Sequence, residues 1–167
     1  INGPPGVPFA ILDDSKEPWP DSLFRKENAQ LPMVKGGYVF NGYRLTGEER
    51  IPAFQYTFGT LSIEDMPSPQ GSFESSDFSF NRIIKIKGDP VKNLYFRAAS
   101  GQSIERTDDG TYLINDSTAL NFKSEGDPLI REIGEKKELL IPIKFNRKSK
   151  DLLSTSTHLL SKTTHIH

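Results

Sequence analysis

Apolar and polar positions alternate along most of this chain. In residues 52–58, Phe54, Tyr56 and Phe58 fall on one face and Ala53, Gln55 and Thr57 on the other, the period-two signature of a strand with one buried side. Gly59 and Thr60 permit a reversal, and Leu61 and Ile63 then alternate with Ser62 and Glu64 until Pro67, so a hairpin ending at that proline is predicted. Upstream, Tyr38 and Phe40 share a face while Val39, Tyr43 and Leu45 lie near the other; Gly42, between them, predicts a bulge or bend. The polar run Thr46 to Arg50 supplies the turn into the next strand.

The same period recurs downstream. Phe78, Phe80, Arg82, Ile84 and Ile86 oppose Ser79, Asn81, Ile83, Lys85 and Lys87, the longest strand candidate. Leu94, Phe96 and Ala98 oppose Tyr95 and Arg97, and Asp89-Pro90 makes the turn before them. Residues 103–106 and 111–114 flank Asp109-Gly110, a strong hairpin signal. Residues 119–123 and 129–133 add further short strands, and 138–145 form an apolar run whose Pro142 predicts an edge position or a bulge. About ten short strands between turn residues, with no convincing helix, predict an all-β fold, an antiparallel β-sandwich or barrel.

The ends read differently. Residues 1–8, rich in proline and glycine, predict a linker; a short apolar run, Phe9 to Leu12, follows. Residues 21–35 are polar and compatible with one short helix or a loop. From Asn146 the pattern dissolves into a Ser/Thr-rich tail, 146–167, which is a disordered extension, a final strand pair or a segment ordered by a partner. The folded domain is thus expected over 9–145. At 167 residues and 35% apolar, one domain with a real core is the expectation.

Charge is balanced, 21 basic against 22 acidic residues, which argues against nucleic acid or an anionic membrane as partner. The absence of cysteine removes disulfides, thiolate metal sites and C-x-x-C-H haem attachment. No apolar run reaches the length of a membrane-spanning helix. A start at Ile1 rather than Met leads us to expect a mature product or an excised fragment.

Candidate chemistry is sparse. Trp19 lies between Pro18 and Pro20, which hold the backbone extended. The indole is either a stacking platform for a sugar or flat cofactor, or a plug at the end of the core; large aromatics are mostly buried, so the plug takes precedence. Tyr43 with Arg44 and Tyr95 with Arg97 would make an aromatic and guanidinium surface for a sugar or partner domain if they share a face. The alternative is cation–π pairing that only stabilises the sheet. His165 and His167 have a spacing compatible with a metal, although a Thr-rich terminus of this kind is more often solvated. The acidic pairs Asp13-Asp14, Glu64-Asp65 and Asp108-Asp109 would need two carboxyls about 5–9 Å apart across a cleft to act on glycosides. No G-x-S-x-G elbow and no phosphate loop is present, so no catalytic residue is assigned.

Several pieces together resemble a β-rich module of large secreted bacterial proteins that also carry c-type cytochrome domains and propellers of the sugar-dehydrogenase kind. They are PFAILDDSKEPWP near the start, the stretch from Tyr38 to Leu45, IPAFQY followed by Thr57 and Phe58, NLYFRAA from Asn93, and ELLIPI from Glu138. The resemblance implies an extracytoplasmic setting and a non-catalytic accessory role beside a redox domain or subunit, with no cofactor in this chain. A carbohydrate-binding module is the alternative expectation, and a carboxylate-dependent glycoside-active enzyme a further one.

Overall fold

The computed structural model describes residues 8–20, 38–70, 79–124 and 126–145, with the backbone alone at Tyr38, Gln70 and 151–159. Among these residues the regular structure is entirely β, in twelve strands: β1 Phe9–Ile11, β2 Tyr38–Thr46, β3 Ile51–Phe58, β4 Leu61–Gln70, β5 Ser79–Lys87, β6 Leu94–Gly101, β7 Ile104–Arg106, β8 Tyr112–Ile114, β9 Thr118–Lys123, β10 Leu129–Ile133, β11 Lys136–Pro142 and β12 Asp151–Leu159. They form a four-stranded sheet ordered β1-β6-β11-β10 and an eight-stranded sheet ordered β2-β3-β4-β5-β12-β9-β8-β7. Neighbouring strands run antiparallel throughout. The all-β antiparallel sandwich expected from the alternation is the fold.

The sheets meet through side chains that alternation aims inward. Phe9, Leu94, Phe96 and Ile141 of the smaller sheet pack with Phe58, Leu61, Ile63, Ile84 and Ile86 of the larger one. A second cluster joins Ala99 and Leu139 to Ile104, Tyr112, Ile114 and Leu120. A bulge in β6 separates them: Leu139 stands opposite Ala99 and Leu140 opposite Arg97, which leaves Ala98 as the extra residue. Ala98 packs against both clusters.

Prolines lie where the ladder needs no donor. β4 does not end at Pro67 as predicted but runs on through Pro67 and Pro69, paired with Arg82 and Phe80 of β5. Its pairing with β3 stops at Asp65, so both missing amides, two residues apart, fall on the same unpaired side. Pro142 is likewise not in an edge strand, since β11 is flanked by β6 and β10. It is the last residue of β11, beyond the pairing with β10. Gly126 packs against it there, so closely that a Cβ would collide with the Pro142 carbonyl oxygen.

The expected helix or loop at residues 21–35 lies outside the described residues; the polar, serine- and glycine-bearing stretch 68–77, expected as a loop, begins instead as the end of β4 through Gln70, and its remainder lies outside them. Residues beyond Phe145, which the pattern leaves outside the domain, include a strand inside the larger sheet, because β12 pairs with both β5 and β9. Ser and Thr at alternate positions gave no apolar period, and backbone pairing on two sides forms this strand without one.

Candidate functional site

Two features stand out from the sandwich frame: an open aromatic face on β2 and β3, and a buried ion triad on the far side of the smaller sheet. The first begins with Gly42. Its φ of +111° belongs to glycine, and the β2–β3 register shifts between Phe40 and Gly42. The extra residue reverses the parity of everything after it. Tyr43, expected on the face opposite Phe40, therefore shares Phe40's face: Phe40 lies 6.4 Å from Phe54 and 5.3 Å from Tyr56, and Tyr43 lies 6.0 Å from Phe54, centroid to centroid. Tyr56 in turn packs against the core. The ladder is thus the core-facing surface of the larger sheet continued past the smaller one, and Phe40 and Tyr43 are left 56% and 64% exposed.

Arg44 points the other way, its Nη2 donating to both carboxylate oxygens of Glu64 at 3.0 Å. That pair is solvent-exposed and contributes little to stability. On the core side, Arg82 makes a bidentate pair with Asp65 and lies 5.4 Å above the Phe96 ring. The hairpin acids Glu64 and Asp65 are therefore held by separate arginines on opposite faces.

The second feature is built on β6, β10 and β11. Glu138 stands opposite Arg131 in one neighbour and Ser100 in the other, and the β6 bulge sets Arg97 within its reach. Arg97 Nη1 donates to Glu138 Oε2 at 2.9 Å, and Arg131 Nε donates to Oε1 at 3.0 Å. The three side chains are only 5–6% exposed. Arg131 Nη2 lies 2.8 Å from Oε1, yet its own hydrogens find no aligned acceptor among the described residues.

What seals the triad is the segment Leu12 to Pro20, which crosses the outer face of the smaller sheet. Trp19, 5% exposed, packs with Ala10, Leu12 and Leu140. The Arg97 guanidinium lies 5.1 Å from its ring. Arg131 Nη1 donates to the carbonyls of Ser15 and Glu17. Asp14 is occupied locally, its carboxylate accepting from the Lys16 amide. Both features depend on charge and ring placement that alternation alone does not disclose.

The sequence-derived sites are therefore divided. Trp19 is a plug, with its ring enclosed rather than presented. Arg97 and Tyr95 belong to that enclosed side, Arg97 buried and Tyr95 half-buried beside the Trp19 cluster. They cannot form one surface with Tyr43 and Arg44, which lie on opposite faces at the edge of the other sheet. His165 and His167 lie outside the described residues. Among the described residues no group of three His, Cys, Asp or Glu side chains is placed to hold a metal, and no helix is long and apolar enough to cross a membrane.

Asp108 and Asp109 sit in the β7–β8 turn, closed by Thr107 and Thr111 backbone bonds and by Gly110 at φ +87°. The Asp109 carboxylate accepts from the Thr107 hydroxyl and the Thr111 amide, and the first of these does most to hold its pKa below the usual carboxylate range. A depressed folded-state pKa means that the ionised form supports folding above the unfolded-state value and that this support is lost as the pH falls through the folded-state one. Asp109→Asn should lower the urea midpoint slightly at neutral pH and not at all in strong acid. An equal difference at both pH values would show that the charge is not what the turn uses.

These features define a two-sheet antiparallel β-sandwich, closed on one side by a tryptophan-bearing segment and open on the other along an aromatic edge. No protein-family model, curated protein or solved structure matches the chain.

Proposed function

We propose that this chain is a non-catalytic interaction module and that its working surface is the aromatic face of the β2–β3 hairpin. The observation that carries the reading is the exposure of Phe40 and Tyr43 on a face that is core elsewhere. Solvent-exposed aromatic side chains are effective anchors of protein–protein contacts once a partner covers them. Of the acidic side chains that the strands and turns bring into contact, Glu64, Asp65 and Glu138 are held by arginines and Asp14 and Asp109 by local bonds, which favours binding over catalysis. The partner this reading takes from the sequence resemblance is a neighbouring redox domain or subunit, in an extracytoplasmic setting.

A polysaccharide is the second reading, supported by the same two rings. Tilt favours the first: Phe40 meets Phe54 and Tyr56, and Tyr43 meets Phe54, at 45–49°, whereas a run of sugars would be served by rings of the ladder lying in one plane.

A photo-activatable phenylalanine analogue at position 43, introduced in cells that make the protein, should yield one discrete polypeptide adduct. The double variant Phe40→Ser, Tyr43→Ser should keep its stability within about 1 kcal/mol, since both rings are more exposed than buried. It should also no longer compete for that partner. Retention of the wild-type chain on a polysaccharide, lost in the double variant and with no polypeptide adduct, would transfer the surface to carbohydrate.

A further inference from the structure

Residues 151–159 read DLLSTSTHL, with small polar residues at the centre and leucines toward the ends. As β12 this segment runs antiparallel to two strands at once. Ser154 to His158 stand opposite Ile83 to Ser79 of β5 and opposite Lys123 to Ala119 of β9. Register places Thr155 and Thr157 in the row of Arg82 and Phe80 on one side and of Phe122 and Leu120 on the other. β2 to β5 form one chain-continuous meander and β7 to β9 another, and among the described residues β12 alone joins them in the larger sheet.

Removing β12 would leave β5, nine residues long, and β9, six residues long, each with an open edge toward the other. Two facing edges at the spacing of a single strand make a template for strand addition. The centre of the occupant, Ser154 to Thr157, is Ser and Thr throughout, so the sequence offers it little apolar area to bury and the ladder of backbone hydrogen bonds is its main hold.

We infer that the space between β5 and β9 is a strand-acceptor site, and that it also takes residues 151–159 of a second copy of this chain, giving a reciprocally strand-exchanged dimer. Both arrangements make the same backbone pairs, so the balance is set by tether length and chain concentration. β11 ends at Pro142 and β12 begins at Asp151, and so short a tether gives the chain's own strand an effective concentration on the order of mM. Self-occupancy dominates in dilute solution, and exchange grows as the chain concentration approaches that value. The inference does not depend on the aromatic face.

The test uses the full chain, which has no cysteine of its own. Asn81→Cys with Ser156→Cys places two thiols directly opposite each other across the β5–β12 pair. Two differently tagged copies, mixed reduced at high concentration, should form mixed dimers whose share rises with concentration, and oxidation should join the two tags covalently. Monomers oxidised before mixing should give roughly tenfold fewer mixed dimers, restored by reductant. Phe40→Ser, Tyr43→Ser in this background should leave the exchange unchanged. Mixed dimers equally abundant from pre-oxidised monomers would overturn the inference. So would an absence of mixed dimers at every concentration while circular dichroism shows folded chains.

Discussion

Glu138→Ala is expected to destabilise the protein by about 3–5 kcal/mol, read as a fall in the urea midpoint at unchanged slope. The size follows from what is left behind. Among the described residues Glu138 is the one carboxylate shared by Arg97 and Arg131, and all three side chains are enclosed. Its removal leaves two buried guanidinium groups facing each other with their shared acceptor gone, and taking one partner out of a buried charge cluster costs more than the pair contributed. Arg97 keeps the Trp19 ring and Arg131 keeps the carbonyls of Ser15 and Glu17, so partial rescue sets the loss below a full desolvation cost. Replacing all three together, Arg97→Met, Glu138→Leu and Arg131→Met, should cost far less than Glu138→Ala alone, because no charge is then stranded. A single-variant loss below about 1 kcal/mol would mean that water reaches the triad, and the enclosed geometry would be wrong.

The fold was legible because the sandwich is written in period two, and the strands over 51–58, 79–87, 94–101 and 129–133 fall where alternation places them. Parity was the weak point. Gly42 announced a bulge, but a bulge moves every later side chain to the other face, and only the paired register says where the extra residue sits. That one residue puts Tyr43 rather than Arg44 on the face of Phe40 and so assembles the aromatic ladder. The triad was hidden for a different reason: Arg97, Arg131 and Glu138 are up to 41 residues apart, and charged residues in strands ordinarily indicate a wet face. β12 was hidden because a Ser/Thr-rich strand between two others has no apolar period to detect.

Trp19→Ala is expected to cost about 3–5 kcal/mol, the range for deleting an enclosed large aromatic. The ring fills the space over Ala10, Leu12 and Leu140, so its loss opens a cavity whose floor is the smaller sheet itself. It also removes the face against which the Arg97 guanidinium rests, a contact of about 1–2 kcal/mol when shielded from water. Because Arg97 also belongs to the triad, the effects of Trp19→Ala and Glu138→Ala should not add, and a double-mutant cycle should return a coupling of about 1 kcal/mol or more. Trp19 is the chain's only tryptophan, so its fluorescence in the wild type reports the segment Leu12 to Pro20 while far-ultraviolet circular dichroism reports the sheets. If that segment is integral, the two urea transitions coincide; if it is a loosely applied cover, fluorescence changes first and Trp19→Ala costs well under 1 kcal/mol. Coincident transitions with the large loss would also remove Trp19 from any carbohydrate-binding role, since a ring that anchors the fold is not free to stack on a sugar. The aromatic face of β2 and β3 would then be the surface on which both binding readings must be decided.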